Sequence, residues 1–99
     1  MSTRVVAYVP ELIDRSKVAA AADVIFVGDP AELAAADADL VVVDLSRPGV
    51  VDVLPRIRAR TIGFGRHTQR EVLDAARAAG CDEVLVRSDF FPRLRELLA

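Results

Sequence analysis

The stretch ADADLVVVDLSRPG, residues 36–49, decides the fold. Four consecutive apolar residues, Leu40 to Val43, run directly into Asp44, and the chain then turns through Ser46, Arg47, Pro48 and Gly49. A strand that is apolar at successive rather than alternate positions is buried on both faces, the environment of an interior strand in a parallel sheet. The Ser-Arg-Pro-Gly cluster ends it with turn chemistry. A carboxylate placed where such a strand stops is either chemistry or punctuation.

Four further short apolar runs flank this one: RVVAYV (4–9), VIFVG (24–28), TIGFG (61–65) and DEVLVR (82–87). Segments of helical character separate them. PELIDRSKVAAAA (10–22) has Leu12, Ile13 and Val18 to Ala20 as its apolar positions. In DPAELAAA (29–36), Asp29 reads as an N-cap and Pro30 as the first helical residue. In TQREVLDAARAAG (68–80), Thr68 and Glu71 form a capping-box pattern, Val72, Ala76 and Ala79 share a face, and Gly80 is the stop. The other two helices share a D-x-x-P start, Asp52 to Pro55 and Asp89 to Pro92. Proline is tolerated in a first turn, where its missing N–H has no intrahelical partner anyway. Helices are therefore expected to start at Asp52 and Asp89, with Ser88 as an alternative cap for the last.

Strand and helix alternate five times without a linker, so residues 1–99 are expected to form a single α/β domain. It has three layers: an open five-stranded parallel sheet in the order 2-1-3-4-5, with helices on both faces, the flavodoxin-like arrangement. A closed barrel of this kind needs eight strands. Ligands bind such sheets outside the carboxyl ends of the strands, near the switch point between strands 1 and 3. Asp44 lies on that edge.

Composition narrows the function. With 99 residues and 53% hydrophobic side chains, the chain can build one core. No apolar run reaches bilayer-spanning length, and MSTRVVAYVPE lacks the long apolar segment and cleavage site of a secretory signal. Cys81 is the single cysteine and reads as a small buried residue; without a disulfide partner for it, a reducing cytoplasm is expected. Twelve arginines to one lysine, with abundant alanine, suggest a GC-rich bacterial genome. A net charge of −2 argues against a nucleic-acid binder. No metal-ligand spacing occurs. GFGRH (63–67) lacks both the Lys-Ser/Thr of a phosphate loop and the third glycine of the dinucleotide fingerprint. Its glycines are expected to serve an unusual turn or close packing of the strand against a helix.

DLVVVDLSRPG resembles the phosphoacceptor segment of bacterial response-regulator receiver domains, D-L-[apolar]3-D-x-x-[MR]-P-G. AAGCDEVLVRSDF is similar to the last strand of the same family, and the order and number of elements match over the whole chain. In that family, which serves two-component signal transduction, the strand-3 Asp is phosphorylated and two acidic residues after strand 1 hold magnesium. A Thr or Ser ends strand 4, and a Lys ends strand 5. Here Asp44 matches the phosphoacceptor, while Tyr8 and Val9 fall on the acidic pair. Gly65, or with a one-residue slip Arg66, falls on the Thr/Ser position. Arg87 falls on the Lys and Ser88 on the Pro that follows it. Glu11, the nearest acid, comes two positions too late.

Phosphoryl transfer depends on neutralising charge, which magnesium does through carboxylate ligands. The resemblance therefore implies a pseudo-receiver: a stand-alone regulatory protein-interaction module with no enzymatic activity, cofactor or bound metal. One alternative is a competent response regulator phosphorylated on Asp44, with Arg66 and Arg87 replacing the missing parts. Another is a binder of an anionic small molecule at the loop edge, where Glu11, Arg66, His67, Arg87 and Ser88 are the candidates.

Asp44 itself has two readings, a phosphoacceptor or a turn-former that accepts hydrogen bonds from residues 46–49 or pairs with Arg87. His67 is either a loop residue or part of an anion site. In the last helix, Phe90, Leu94 and Leu97 are expected to face the sheet. Phe91 and Leu98, seven apart, form a second line with Arg93 and Arg95 as a basic rim. That line is the expected centre of an interface with a protein partner or second copy, on the face shared by the helix over 68–80, the strand over 82–87 and the last helix. The other reading is one wide core-facing stripe with a solvated rim. No membrane or nucleic-acid partner is expected.

Overall fold

The structure, a computed structural model, describes residues 3–99. Five parallel strands form one sheet: β1 (Val5–Tyr8), β2 (Val24–Phe26), β3 (Leu40–Asp44), β4 (Arg60–Gly65) and β5 (Glu83–Val86). Their order is β2-β1-β3-β4-β5, the one expected of the alternating elements. β3 lies between β1 and β4, with Val43 level with Tyr8 and Gly63, and Asp44 level with Phe64.

Period-two alternation divides the apolar residues between two cores. On one face, Val6, Tyr8, Val41 and Val43 pack with Leu33, Val50, Val53, Leu54, Leu73 and Ala76. These come from the 3-10 segment Pro30–Ala35 and from helices α2 (Val50–Val53) and α3 (Arg70–Ala78), with the 3-10 turn Leu54–Arg56. On the other face, Val5, Ala7, Leu40, Val42, Ile62 and Phe64 meet Val18, Phe90, Leu94 and Leu98. Those belong to α1 (Leu12–Ala21) and to the C-terminal segment: α4 (Arg87–Phe90), a 3-10 turn at Phe91–Arg93 and α5 (Leu94–Leu97).

Three helix starts differ from expectation. α2 begins at Val50, behind Gly49 at φ 82°, and not at Asp52. α4 begins at Arg87 and not at Asp89 or Ser88. In both places the proline falls where the chain tightens into a 3-10 turn. It interrupts a helix already under way because it removes a main-chain donor. α3 has Gln69 at its cap position with no side-chain bond. Glu71 is thus the second helical residue, out of reach of a Thr68 box. The Asp29 cap is present: its carboxylate accepts from Ala31 N at 2.8 Å, and Glu32 reaches back to Asp29 N at 3.1 Å. The turn it starts is 3-10, however, not α.

Of the expected apolar positions of α1, Val18 faces the sheet, but Leu12, Ile13, Ala19 and Ala20 do not. Leu12 and Ile13 are 75% and 66% exposed, whereas Asp14 and Val18 are buried. Residues 14 and 18 are four apart and share the sheet-facing side.

The glycines of GFGRH serve close packing. A Cβ at Gly63 would stand 2.7 Å from Leu45, and one at Gly65 2.9 Å from Leu73. Gly63→Ala is expected to overpack this core against Leu45 and cost about 1–3 kcal/mol, read as a lower denaturant midpoint with unchanged slope.

Candidate functional site

Asp44 ends β3 at 2% exposure. One carboxylate oxygen accepts from Ser46 N at 3.0 Å and from Ser46 Oγ at 2.6 Å. This is an Asx-type turn, in which a short acidic side chain satisfies the main chain two residues on. The other oxygen faces Arg47 Nε at 3.7 Å, and Arg47 Nη2 stands 3.8 Å from Glu11 Oε2. The Arg47 guanidinium therefore lies between Asp44 and Glu11.

Arg87 makes no ion pair with Asp44. It forks onto Asp14 from the far end of the chain, through two hydrogen bonds of 2.6 and 2.8 Å. Asp14 is 1% exposed, while the Arg87 side chain keeps 34% of its surface open. The guanidinium also lies 5.0 Å from the centre of the Phe91 ring and 5.5 Å from that of Phe64. The hydrogen bonds to Asp14 push the Arg87 pKa further up, with smaller contributions from the charges of Asp14, Asp44 and Glu11.

Asp14 was not legible as a site residue. In the sequence it follows Leu12 and Ile13, which look like the core positions of that helix. Its i, i+4 relation to Val18 was the available signal, and that becomes informative only once Val18 is known to face the sheet.

The magnesium that the resemblance implies does not fit these side chains. Tyr8 and Val9, on the acidic-pair positions, are buried apolar packing. Both Asp14 oxygens are engaged by Arg87, and Asp44 and Glu11 share Arg47. Among the described residues, no three His, Cys, Asp or Glu side chains come together as a ligand set. A magnesium ion demands near-ideal octahedral oxygen ligation, including free carboxylate oxygens.

The remaining loop-edge candidates form a second group. Arg66 and His67, both exposed after β4, join Thr68, Arg87 and Ser88 around a cavity of about 300 Å³. Asp44 and Glu11 do not line it. Cys81 is buried, as expected, with Sγ 3.4 Å from Glu83 O and 3.6 Å from Thr61 O. Burial pushes its thiol pKa up, which keeps it the neutral, unreactive form.

The expected interface centre is corrected at Leu98. Leu98 is 3% exposed and belongs to the core with Phe90 and Leu94. Phe91 is half-buried, edge-on to Phe64 and Phe90 with ring centres at 5.2 and 4.9 Å. Leu98 comes four residues after Leu94, about 40° around the helix, which keeps it within an apolar stripe of ordinary width. Arg93 pairs with Glu96 at 3.2 Å, and Arg95 is exposed. Leu98 therefore belongs to the core-facing stripe, while Phe91 keeps part of its surface open.

No protein-family model and no curated protein matches the sequence. Solved structures match the fold. A response regulator from Hahella chejuensis superposes with a TM-score of 0.82 at 17% identity, over 98% of this chain and 92% of that one. The phosphorylated cyanobacterial phytochrome response regulator RcpA superposes with a TM-score of 0.79 at 14% identity, over 99% and 89%. The chain has the fold of response-regulator receiver domains. Among the described residues, no helix is long and apolar enough to cross a membrane.

Proposed function

We propose that this chain is a pseudo-receiver of the cytoplasm: a signalling or regulatory module that acts through protein contacts, without catalysis and without the magnesium-dependent phosphorylation switch. The observation that carries this reading is the commitment of Arg87 to Asp14. A cation at the end of strand 5 in a receiver is needed for the phosphoryl group. Here two of its donors are spent on a buried carboxylate, while Asp44 holds its own turn. Arg47 and Arg87 supply as fixed side chains the positive charge that a divalent ion would bring. Information then has to pass by docking. Leu12 and Ile13, adjacent and exposed beside Glu11 at the start of α1, are the surface this reading assigns to a partner.

The test is an amide NMR titration with beryllofluoride, with and without magnesium. No saturable shifts around Asp44 and Glu11 are expected under either condition. Asp44→Asn should cost only about 1–2 kcal/mol, the loss of turn hydrogen bonds, as read from urea unfolding. Phosphate uptake from acetyl phosphate that disappears in Asp44→Asn would establish the competent response regulator instead.

A further inference from the structure

We propose that β2 is a dimerisation edge, on which a second copy of this chain pairs antiparallel about a two-fold axis at Ile25. β2 ends the sheet, with β1 on one side and, among the described residues, no strand on the other. Phe26 is level with Ala7, and Val27 N donates to Ala7 O at 2.9 Å. Main-chain groups alternate in direction along a strand. Those of Ile25 and Val27 therefore turn toward β1, and those of Val24 and Phe26 toward the open edge. An open row of this kind is a template for another strand unless it is blocked. β2 reads Val-Ile-Phe, without charge, proline or a break in register. The other edge, β5, begins with Glu83, a charge that discourages pairing. One face of β2 is open as well. The 3-10 segment Pro30–Ala35, which follows β2, packs over β1. Ile25 is left 59% exposed, and a cavity of about 590 Å³ lies against Val24 and Ile25.

The occupant is a second copy because the edge is complementary to itself. With Ile25 opposite the partner's Ile25, Val24 stands opposite the partner's Phe26. Each such pair exchanges two main-chain hydrogen bonds, which makes four for the dimer. The central pair is of the kind without hydrogen bonds, in which facing side chains come closest, so each exposed Ile25 covers the other. Charge fits the same register. Asp23 and Arg15 are exposed, and neither enters an ion pair among the described residues. Asp23 immediately precedes Val24, whereas the Arg15 guanidinium lies 4.6 Å from the centre of the Phe26 ring, at the other end of the strand. An antiparallel partner exchanges these ends. It brings Arg15 to the partner's Asp23, and the two-fold axis repeats the contact. A parallel partner strand would set like charges side by side. Three paired residues make a small interface, so the dimer is expected to be weak, with a Kd on the order of 10 µM. The proposal uses no residue on which the pseudo-receiver reading rests.

The experiment is sedimentation equilibrium of the full chain at low ionic strength, over concentrations from about 1 µM to about 1 mM. A monomer–dimer equilibrium is expected. Ile25→Lys sets a charge against its own copy at the axis and should weaken the dimer by about 100-fold or more. Arg15→Asp and Asp23→Arg each turn two attractions into repulsions and should weaken it about tenfold. The double variant, Arg15→Asp with Asp23→Arg, restores opposite charges and should return to within about threefold of the original. All three side chains are exposed, and unchanged urea midpoints show that the fold is kept. Leu12→Ser, at another exposed apolar position, should leave the dimer as it is. A chain that stays monomeric at about 1 mM, or a dimer that tolerates Ile25→Lys, would overturn the proposal. So would a double variant as weak as the single ones, or growth beyond the dimer. Dissociation by Leu12→Ser in place of Ile25→Lys would move the interface to α1 and exclude the β2 edge.

Discussion

Arg87→Ala is expected to lower stability by about 3 kcal/mol, because it strands a buried carboxylate without its counter-charge. The two ends of the pair are not equivalent. Asp14 is 1% exposed, whereas the Arg87 side chain keeps 34% of its surface open. Without Arg87, Asp14 must stay charged in a poor dielectric or take up a proton. Without Asp14, Arg87 can swing to water, so Asp14→Ala should cost only about 1–2 kcal/mol. The double variant should be more stable than the sum of the two losses requires, since it removes the stranded charge along with its partner. In thermal unfolding of a domain this size, the Arg87→Ala loss is a fall of about 12–24 °C. Arg87→Lys should recover only part of it, because an ammonium cannot fork onto both oxygens. If Arg87→Ala proves no worse than Asp14→Ala, the pair is not the clamp described here, and the main support for the pseudo-receiver reading goes with it.

Phe90→Ala should be the other severe substitution, at about 3–5 kcal/mol. Phe90 is fully buried, stacked on Phe64 with ring centres 4.5 Å apart and planes 14° from parallel. Phe91 closes the cluster edge-on. Truncation removes both rings' contact with Phe90 and leaves a hole in the core where α4 crosses β4. Against a total stability on the order of 5–15 kcal/mol, this loss approaches the threshold of folding. Leu98→Ala should follow at about 2–4 kcal/mol. Leu12→Ser and Ile13→Ser, both at exposed positions, should stay within about 0.5 kcal/mol. That ranking, measured by urea unfolding, inverts the roles expected from residue type along α1 and the last helix. A Leu98→Ala variant of full stability would restore Leu98 to an interface.

The sheet was legible because its signals are local or insensitive to detail. Consecutive apolar residues such as Leu40 to Val43 need burial on both faces, whichever neighbours provide it, and strict alternation with helical segments leaves few topologies. The loop edge was legible for the same reason: Asp44 ends a strand, and Arg66, His67, Arg87 and Ser88 follow strand ends. Helix faces were less so. The segments are short, and two are broken by proline, so positions counted around an ideal helix misplaced Leu98. Leu12 and Ile13 looked more suited to a core than Asp14 because hydrophobicity alone ignores what stands across the gap.

The sequence by itself determined the parallel alternation of strand and helix, the double burial of β3 and the turn at Asp44, whose partner Ser46 is two residues away. Tertiary structure alone decided which acid meets Arg87. Asp14 and Arg87 are 73 residues apart, and nothing in either segment names the other. Their meeting depends on α1 and α4 packing on the same face of the sheet, with Val18 and Phe90 turned inward. Once that packing buries Asp14, an unpaired charge there is costly, and the guanidinium that forks onto it is the one at the end of β5.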